Sequence, residues 1–276
     1  MVIPFSQRIH TASPPSDAAG AETVWKEVQS QSMKSTYPDK RGRYFRLLVW
    51  AVAEALTVGC LIYSICIKNI FQAISCAVYA VGISGPFLIE KWFKCKINTL
   101  TLLCSILYAL GPLMGDMLHL YYTTGWWDKL LHFTGGIMFA MLGVFLPQML
   151  SDQRFPVSLC AVFALCFSIT ISVCWEFCEY GIDQLFGTDL QHSMVVHDIH
   201  SHLLAEEVGE VGSIGSITEV TVNGESLPLN GYLDIGLNDT MLDMLVESFG
   251  ALIYVVIYVL DKGRHLVLKK EAAVQV

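Results

Sequence analysis

The sequence predicts an all-α, polytopic membrane bundle of about six transmembrane helices, with a small β-hairpin in one long loop. Three observations predict it. Of 276 residues, 54% are apolar and only 15% are charged, against roughly 25% charged in soluble domains, and the mean hydropathy is +0.51. Several uninterrupted apolar stretches approach or exceed the ~18 residues needed to cross a hydrocarbon layer about 30 Å thick. Between the last two stretches lies a polar segment containing ITEVTVNGESLPL, two β-prone runs joined at Asn223-Gly224. The formal net charge of −8 misleads as an average, because the charges are segregated by segment.

Residues 1–44 are polar, with Pro14-Pro15 and a short helix expected from Ser16. They lack the apolar core and small-residue cleavage site of a signal peptide, so the first span is expected to direct insertion. The membrane domain covers 45–265, with spans at roughly 46–66, 70–90, 99–121, 129–150, 156–180 and 241–261, and residues 266–276 form a closing tail. Gly82, Gly85 and Pro86 interrupt the second span; Gly111, Pro112 and Gly115 interrupt the third. Such breakers bend helices and are tolerated in lipid where neighbours satisfy the freed backbone groups. The long loop runs from about 182 to 238. Its Asn-Gly pair predicts a type I′ hairpin, since that turn needs positive φ at both central residues.

Orientation follows from Lys and Arg. With the first span starting inside, only Lys68 and Lys129 of the 17 basic residues lie outside, so both termini are expected in the cytoplasm. The Lys91–Lys96 and Arg154 loops then also lie inside, and Tyr121, Tyr122, Trp126 and Trp127 form an outer aromatic belt. Eight of the nine cysteines fall within apolar stretches, Cys95 sits in a basic loop, and none lies in the long outer loop. They read as small polarizable packing residues rather than disulfide partners, although Cys174 and Cys178, at i,i+4, have the spacing of soft metal ligands.

Ionisable residues within spans are costly and default to functional candidates. Here they gather near one face: Asp116 and His119 on span three, Asp128 and His132 at the start of span four, Glu176 and Glu179 near the end of span five. Asp239, Asp243 and Glu247 run i, i+4, i+8 along span six. The i,i+3 and i,i+4 spacings put each set on one helix face. Lys129 is the one cation nearby, so crowded carboxylates must retain protons or bind a cation. Asp128, His132, Glu176, Glu179, Asp239 and Asp243 are the expected metal ligands, with Glu247 or His119 as proton acceptor. An oxygen-rich set with imidazole suits Mg²⁺, Mn²⁺, Fe²⁺ or Zn²⁺. The bland alternative is that single carboxylates are helix caps, as Asp239 before Thr240 would be. The loop stretch HSMVVHDIHSH, with His192, His197, His200, His202 and Asp198, is a second metal-binding candidate. There is no Walker loop, GxSxG, HExxH, CxxC pair or dinucleotide fingerprint. No basic outer patch points to nucleic acid.

The blocks DKLLHF, WEFCEYGIDQLFG and DTMLDMLVESFGAL resemble the three signature blocks of the YjdF-like inner-membrane proteins of bacteria, over roughly residues 45–265. DKLLHF and the D-x-x-x-D…G-A ending are more distantly similar to the VanZ-like membrane proteins, some linked to glycopeptide resistance. The resemblance implies a multi-pass protein of the bacterial plasma membrane and carries no established activity. The functional expectation is an outward-facing, divalent-metal-dependent site acting on a lipid or cell-envelope substrate. The alternatives are a proton- or cation-coupled transporter and a non-catalytic envelope accessory protein that docks through its outer loop.

Overall fold

The computed structural model describes residues 40–93, 95–97, 99–150, 155–261 and 268–270. The polar tail up to residue 39, the helix expected from Ser16, the Arg154 loop and the 266–276 tail apart from 268–270 lie outside the described residues. The helices are α1 (Lys40–Cys66), α2 (Ile70–Trp92), α3 (Thr99–Met117), α4 (Leu120–Thr123), α5 (Trp127–Leu150), α6 (Val157–Phe186) and α7 (Leu237–Leu260). Five of them are long and apolar enough to cross a bilayer, and α3 is a shorter apolar helix. The protein is therefore a polytopic helical membrane protein. Large apolar side chains such as Ile62, Ile74, Val162, Leu245 and Phe249 are left exposed around the helices. In water each would forgo about 1.5–3 kcal/mol of burial; lipid removes that cost. By its contacts the chain divides within α1, between Val52 and Ala53, and the site below lies wholly in the second part.

Most spans run as expected, and four ends differ. The first span, expected from about residue 46, already starts as α1 at Lys40, within the stretch assigned to the polar tail. The third was expected to reach residue 121, but α3 stops at Met117 and His119, at φ 56°, turns the chain into the separate one-turn α4. A left-handed non-glycine residue cannot continue a right-handed helix. At the fifth, α6 continues to Phe186 and ends on Gly187 at φ 65°, a left-handed C-terminal cap. At the sixth, α7 begins at Leu237, directly after Gly236 at φ 91°. Pro86 and Pro112 lie inside continuous helices.

α5, α6 and α7 form the central packing unit, around Ala140, Val144, Cys160, Ala161, Ala164, Ala251, Val255 and Tyr258. The α5–α7 crossing is a backbone contact: a Cβ at Gly136 would overlap the carbonyl oxygen of Glu247, and one at Gly250 that of Phe133. Small residues at membrane-helix crossings allow this approach.

The rest of the described regular structure is one 3-10 turn (His202–Leu204) and four small antiparallel strand pairs. β1 (Cys95–Ile97) pairs with β8 (Leu268–Lys270), tying the loop after α2 to part of the closing tail. β2 (Val195–Val196) pairs with β7 (Tyr232–Leu233), and β3 (Ile199–Ser201) with β4 (Gly212–Ile214). β5 (Thr221–Val222) and β6 (Glu225–Ser226) form the expected hairpin, with Asn223 at φ 53° and Gly224 at φ 88°.

Candidate functional site

The site is assembled where the starts of α5 and α7 meet the end of α6. Trp127 opens α5 by donating from Nε1 to the carbonyl of Gly111 on α3 at 3.3 Å. Asp128 falls in the first turn of α5 and Asp239 in the first turn of α7, where the helix dipole favours negative charge. One turn along α5 from Asp128, His132 is 7% exposed; along α7, Asp239, Asp243 and Glu247 are 7%, 1% and 3% exposed. The i, i+4, i+8 spacing thus puts all three α7 acids on the buried face, directly above the Gly136–Gly250 crossing.

Lys129 enters this cluster. Its Nζ contacts Asp239 Oδ1, lies 2.8 Å from Asp243 Oδ1 and 3.3 Å from Asp128 Oδ2. His132 bridges the helices: Nε2 is 3.8 Å from Asp128 Oδ1 and 3.9 Å from Asp243 Oδ1, and Nδ1 is 3.4 Å from Glu247 Oε2. One ammonium thus faces three carboxylates, leaving Glu247, Glu176 and Glu179 without it. Glu247 Oε1 and both oxygens of Glu176 are buried without a hydrogen-bond partner. An ionised group in that condition is costly, and a bound cation or proton would relieve it.

His192 comes in from the long loop. Its Nδ1 is 3.7 Å from Asp239 Oδ2 and 4.0 Å from Asp128 Oδ2, and its ring stands 5.6 Å from that of Tyr121. Three carboxylates hold the loop around it. Asp183 accepts from Thr188 Oγ1 and from the backbone N–H groups of Leu190 and Gln191. Asp189 accepts from the N–H of Ser193, and Asp234 from those of Met194, Gly236 and Asn238. Burial works against the charge of Asp234, but these N–H donors outweigh it and hold the carboxyl below its ordinary range. Gln191 Nε2 then donates to Thr240 Oγ1 on α7 at 2.7 Å.

Among the described residues, two groups of three side chains have the spacing to hold a metal ion: Asp128, His132 and Asp243, and Asp128, His192 and Asp239. Within each group the ligand atoms lie within 4.8 Å of one another, and Asp128 belongs to both. Of the expected ligands, the structure brings together Asp128, His132, Asp239 and Asp243, with Glu247 against His132. Glu179 lines the adjoining cavity, and Glu176 is buried one turn away on α6, outside both groups. Asp116 is half-buried on α3 and in neither group. His119 stands exposed with its ring 6.3 Å from that of Tyr122. Cys174 and Cys178 are exposed on α6 and in neither group.

The loop histidines separate. His197 Nδ1 is 2.9 Å from the carbonyl of Ile217, His200 Nδ1 2.7 Å from Ser213 Oγ, and His202 Nδ1 2.7 Å from the carbonyl of Glu210. These three hold loop strands together. Only His192 reaches the helices, and its one signal in the sequence is its position a few residues past the end of α6.

A cavity of about 390 Å³ adjoins the cluster. Apolar side chains of α2, α3 and α5 line most of it, including Val78, Ile89, Ala109, Leu131 and Leu142, while Asp128, His132, Glu179 and Glu247 line it at the cluster. From Val78 to Ile89 it follows α2 for about 16 Å at ~1.5 Å per residue, roughly half of a 30 Å hydrocarbon layer.

No curated protein and no solved structure matches the chain. One family model does, over residues 47–263, with the description "Predicted membrane protein (DUF2238)". That match takes in all six apolar helices but for the first turns of α1, together with the whole cluster, and the chain belongs to this family of membrane proteins.

Proposed function

We propose that the protein is a divalent-metal-dependent membrane site acting on the polar head of a lipid or cell-envelope substrate. One observation carries the reading: the carboxylate–histidine cluster lies at one end of a largely apolar cavity. A ligand whose tail follows α2 and α3 would present its head to Asp128, His132, Glu179 and Glu247. The metal would supply Lewis acidity, held by Asp128, His132 and Asp243, with Asp239 beside them. In this reading Glu247, whose Oε1 has no hydrogen-bond partner, is the proton acceptor. The YjdF-like and VanZ-like resemblances support a bacterial plasma membrane, with both termini cytoplasmic and the cluster facing outward.

Coupled transport would require a polar route through the rest of the bundle. Ala140, Val144, Ala164, Ala251 and Val255 occupy the centre of α5, α6 and α7 below the cluster, which favours a one-sided site. The test is bound-metal analysis of the full chain purified in mild detergent, with thermal unfolding after chelation and after adding Mn²⁺ or Zn²⁺. We expect bound metal and a midpoint that falls on chelation and recovers on addition. Metal-free protein with a midpoint indifferent to both ions would sink the reading.

A further inference from the structure

Resting on the metal-site reading above, we infer that the cluster binds two divalent cations bridged by Asp128, the second held by His192 of the long loop with Asp239. The two ligand groups share Asp128 and no other side chain. A carboxylate has two oxygens, and here they face apart: Oδ1 toward His132 at 3.8 Å, Oδ2 toward His192 at 4.0 Å. Two-metal sites commonly separate their ions by ~3.5–4 Å, a span one carboxylate bridges. Each ion would thus have one imidazole and one α7 carboxylate of its own.

The charge of the cluster leaves room for two ions. Asp128, Glu176, Glu179, Asp239, Asp243 and Glu247 supply six negative charges when ionised, and Lys129 one positive charge. A single divalent ion leaves a net −3, and two leave −1. Independent of the ligand groups, Glu247 Oε1 is unpartnered, 97% of the residue is buried, and it lines the cavity beside His132 and Asp128. That is an unfilled acceptor beside the His132 group, against which Glu247 Oε2 lies at 3.4 Å. Lys129, now against Asp239, Asp243 and, at 3.3 Å, Asp128 Oδ2, would have to give up Asp128 Oδ2 to the second ion and keep the carboxylate oxygens that the ions leave free.

The inference also gives the loop a task. Asp183, Asp189 and Asp234 fix the segment on either side of His192, and the Gln191–Thr240 bond ties it to α7. A ligand needs that order; a merely connecting loop does not.

The experiment titrates Mn²⁺ alone into the chelated full chain in detergent, counting bound ions and recording the electron paramagnetic resonance spectrum. Wild type is expected to bind two Mn²⁺ with an exchange-coupled spectrum. His192→Ala, and independently Asp239→Asn, should bind one Mn²⁺ with an uncoupled spectrum, while circular dichroism stays unchanged. One Mn²⁺ in wild type and in His192→Ala alike would overturn the second ion and leave the metal reading intact. No Mn²⁺ in wild type would overturn both.

Discussion

The two halves of the α5–α6–α7 unit use the same three helices and opposite chemistry. Toward the long loop the buried faces carry His132, Ser172, Glu176, Asp239, Asp243 and Glu247, with Asp128 half-buried beside them. Toward the other end the same faces carry Ala140, Val144, Cys160, Ala161, Ala164, Ala251 and Val255. The boundary falls at the Gly136–Gly250 crossing, where α5 and α7 touch through their backbones. Small apolar residues give the second half close packing that needs no partner molecule. In the first half polar atoms remain unpartnered within close-packed helices, a cost tolerated at functional sites. The apolar half therefore holds the helices in place, and the polar half uses that rigidity to keep like charges together.

The sharpest way to break this comparison is at the boundary. Gly250→Leu forces a side chain into the backbone of Phe133. Because a backbone cannot rotate aside, the cost should reach or exceed the ~3 kcal/mol upper range for overpacking. Thermal unfolding and size exclusion in detergent should report loss of folded protein; a wild-type midpoint would refute the close crossing.

A smaller effect is expected within the polar half. Lys129→Met removes the ammonium from three carboxylates. Breaking a buried pair costs ~3–5 kcal/mol; at 26% side-chain exposure solvent screening reduces this, and about 2 kcal/mol is expected in chelated protein. Added Mn²⁺ should restore most of it, because a divalent ion substitutes for the lost charge. Equal midpoints for variant and wild type after chelation would mean that the polar half is not charge-strained.

The smallest effect should be confined to the loop. Asp234 has its carboxyl held below the ordinary range, so its stabilising contribution is present above the unfolded value of ~3.9 and is lost as pH falls through the depressed folded value. Hydrogen exchange corrected for intrinsic rates should show the amides of Met194, Gly236 and Asn238 deprotected in that acid window. Asp234→Asn should deprotect them at pH 7, with the helical midpoint unchanged. Loss of helical protection in the variant would mean that the loop supports the bundle as well as the site.

Much of this was legible in the residues. Long apolar runs dictated helices, the Asn223-Gly224 pair dictated its hairpin, and i,i+4 spacing put Asp239, Asp243 and Glu247 on one face. The early end of α3 was not legible, because the left-handed turn at His119 interrupts a run that reads as continuous. Nor was the segregation of the loop histidines. Four similar residues in HSMVVHDIHSH carry no local sign of which will pair with loop backbone and which will meet a carboxylate over forty positions away. The β1–β8 pairing was hidden for the same reason, since partners so distant in sequence leave no periodic trace.

The sequence by itself determined that this chain lies in a membrane as helices, and which faces of those helices bear charge. Both are local properties, set by hydropathy over a span's length and by the 3.6-residue period. Only the tertiary structure decided which charges meet. It brought Lys129 among three carboxylates, left Glu176 outside both ligand groups and His119 exposed, and carried His192 from the loop to Asp128 and Asp239. Those meetings depend on a glycine-thin crossing and on loop carboxylates that fix a backbone, and such contacts exist only once the helices have packed.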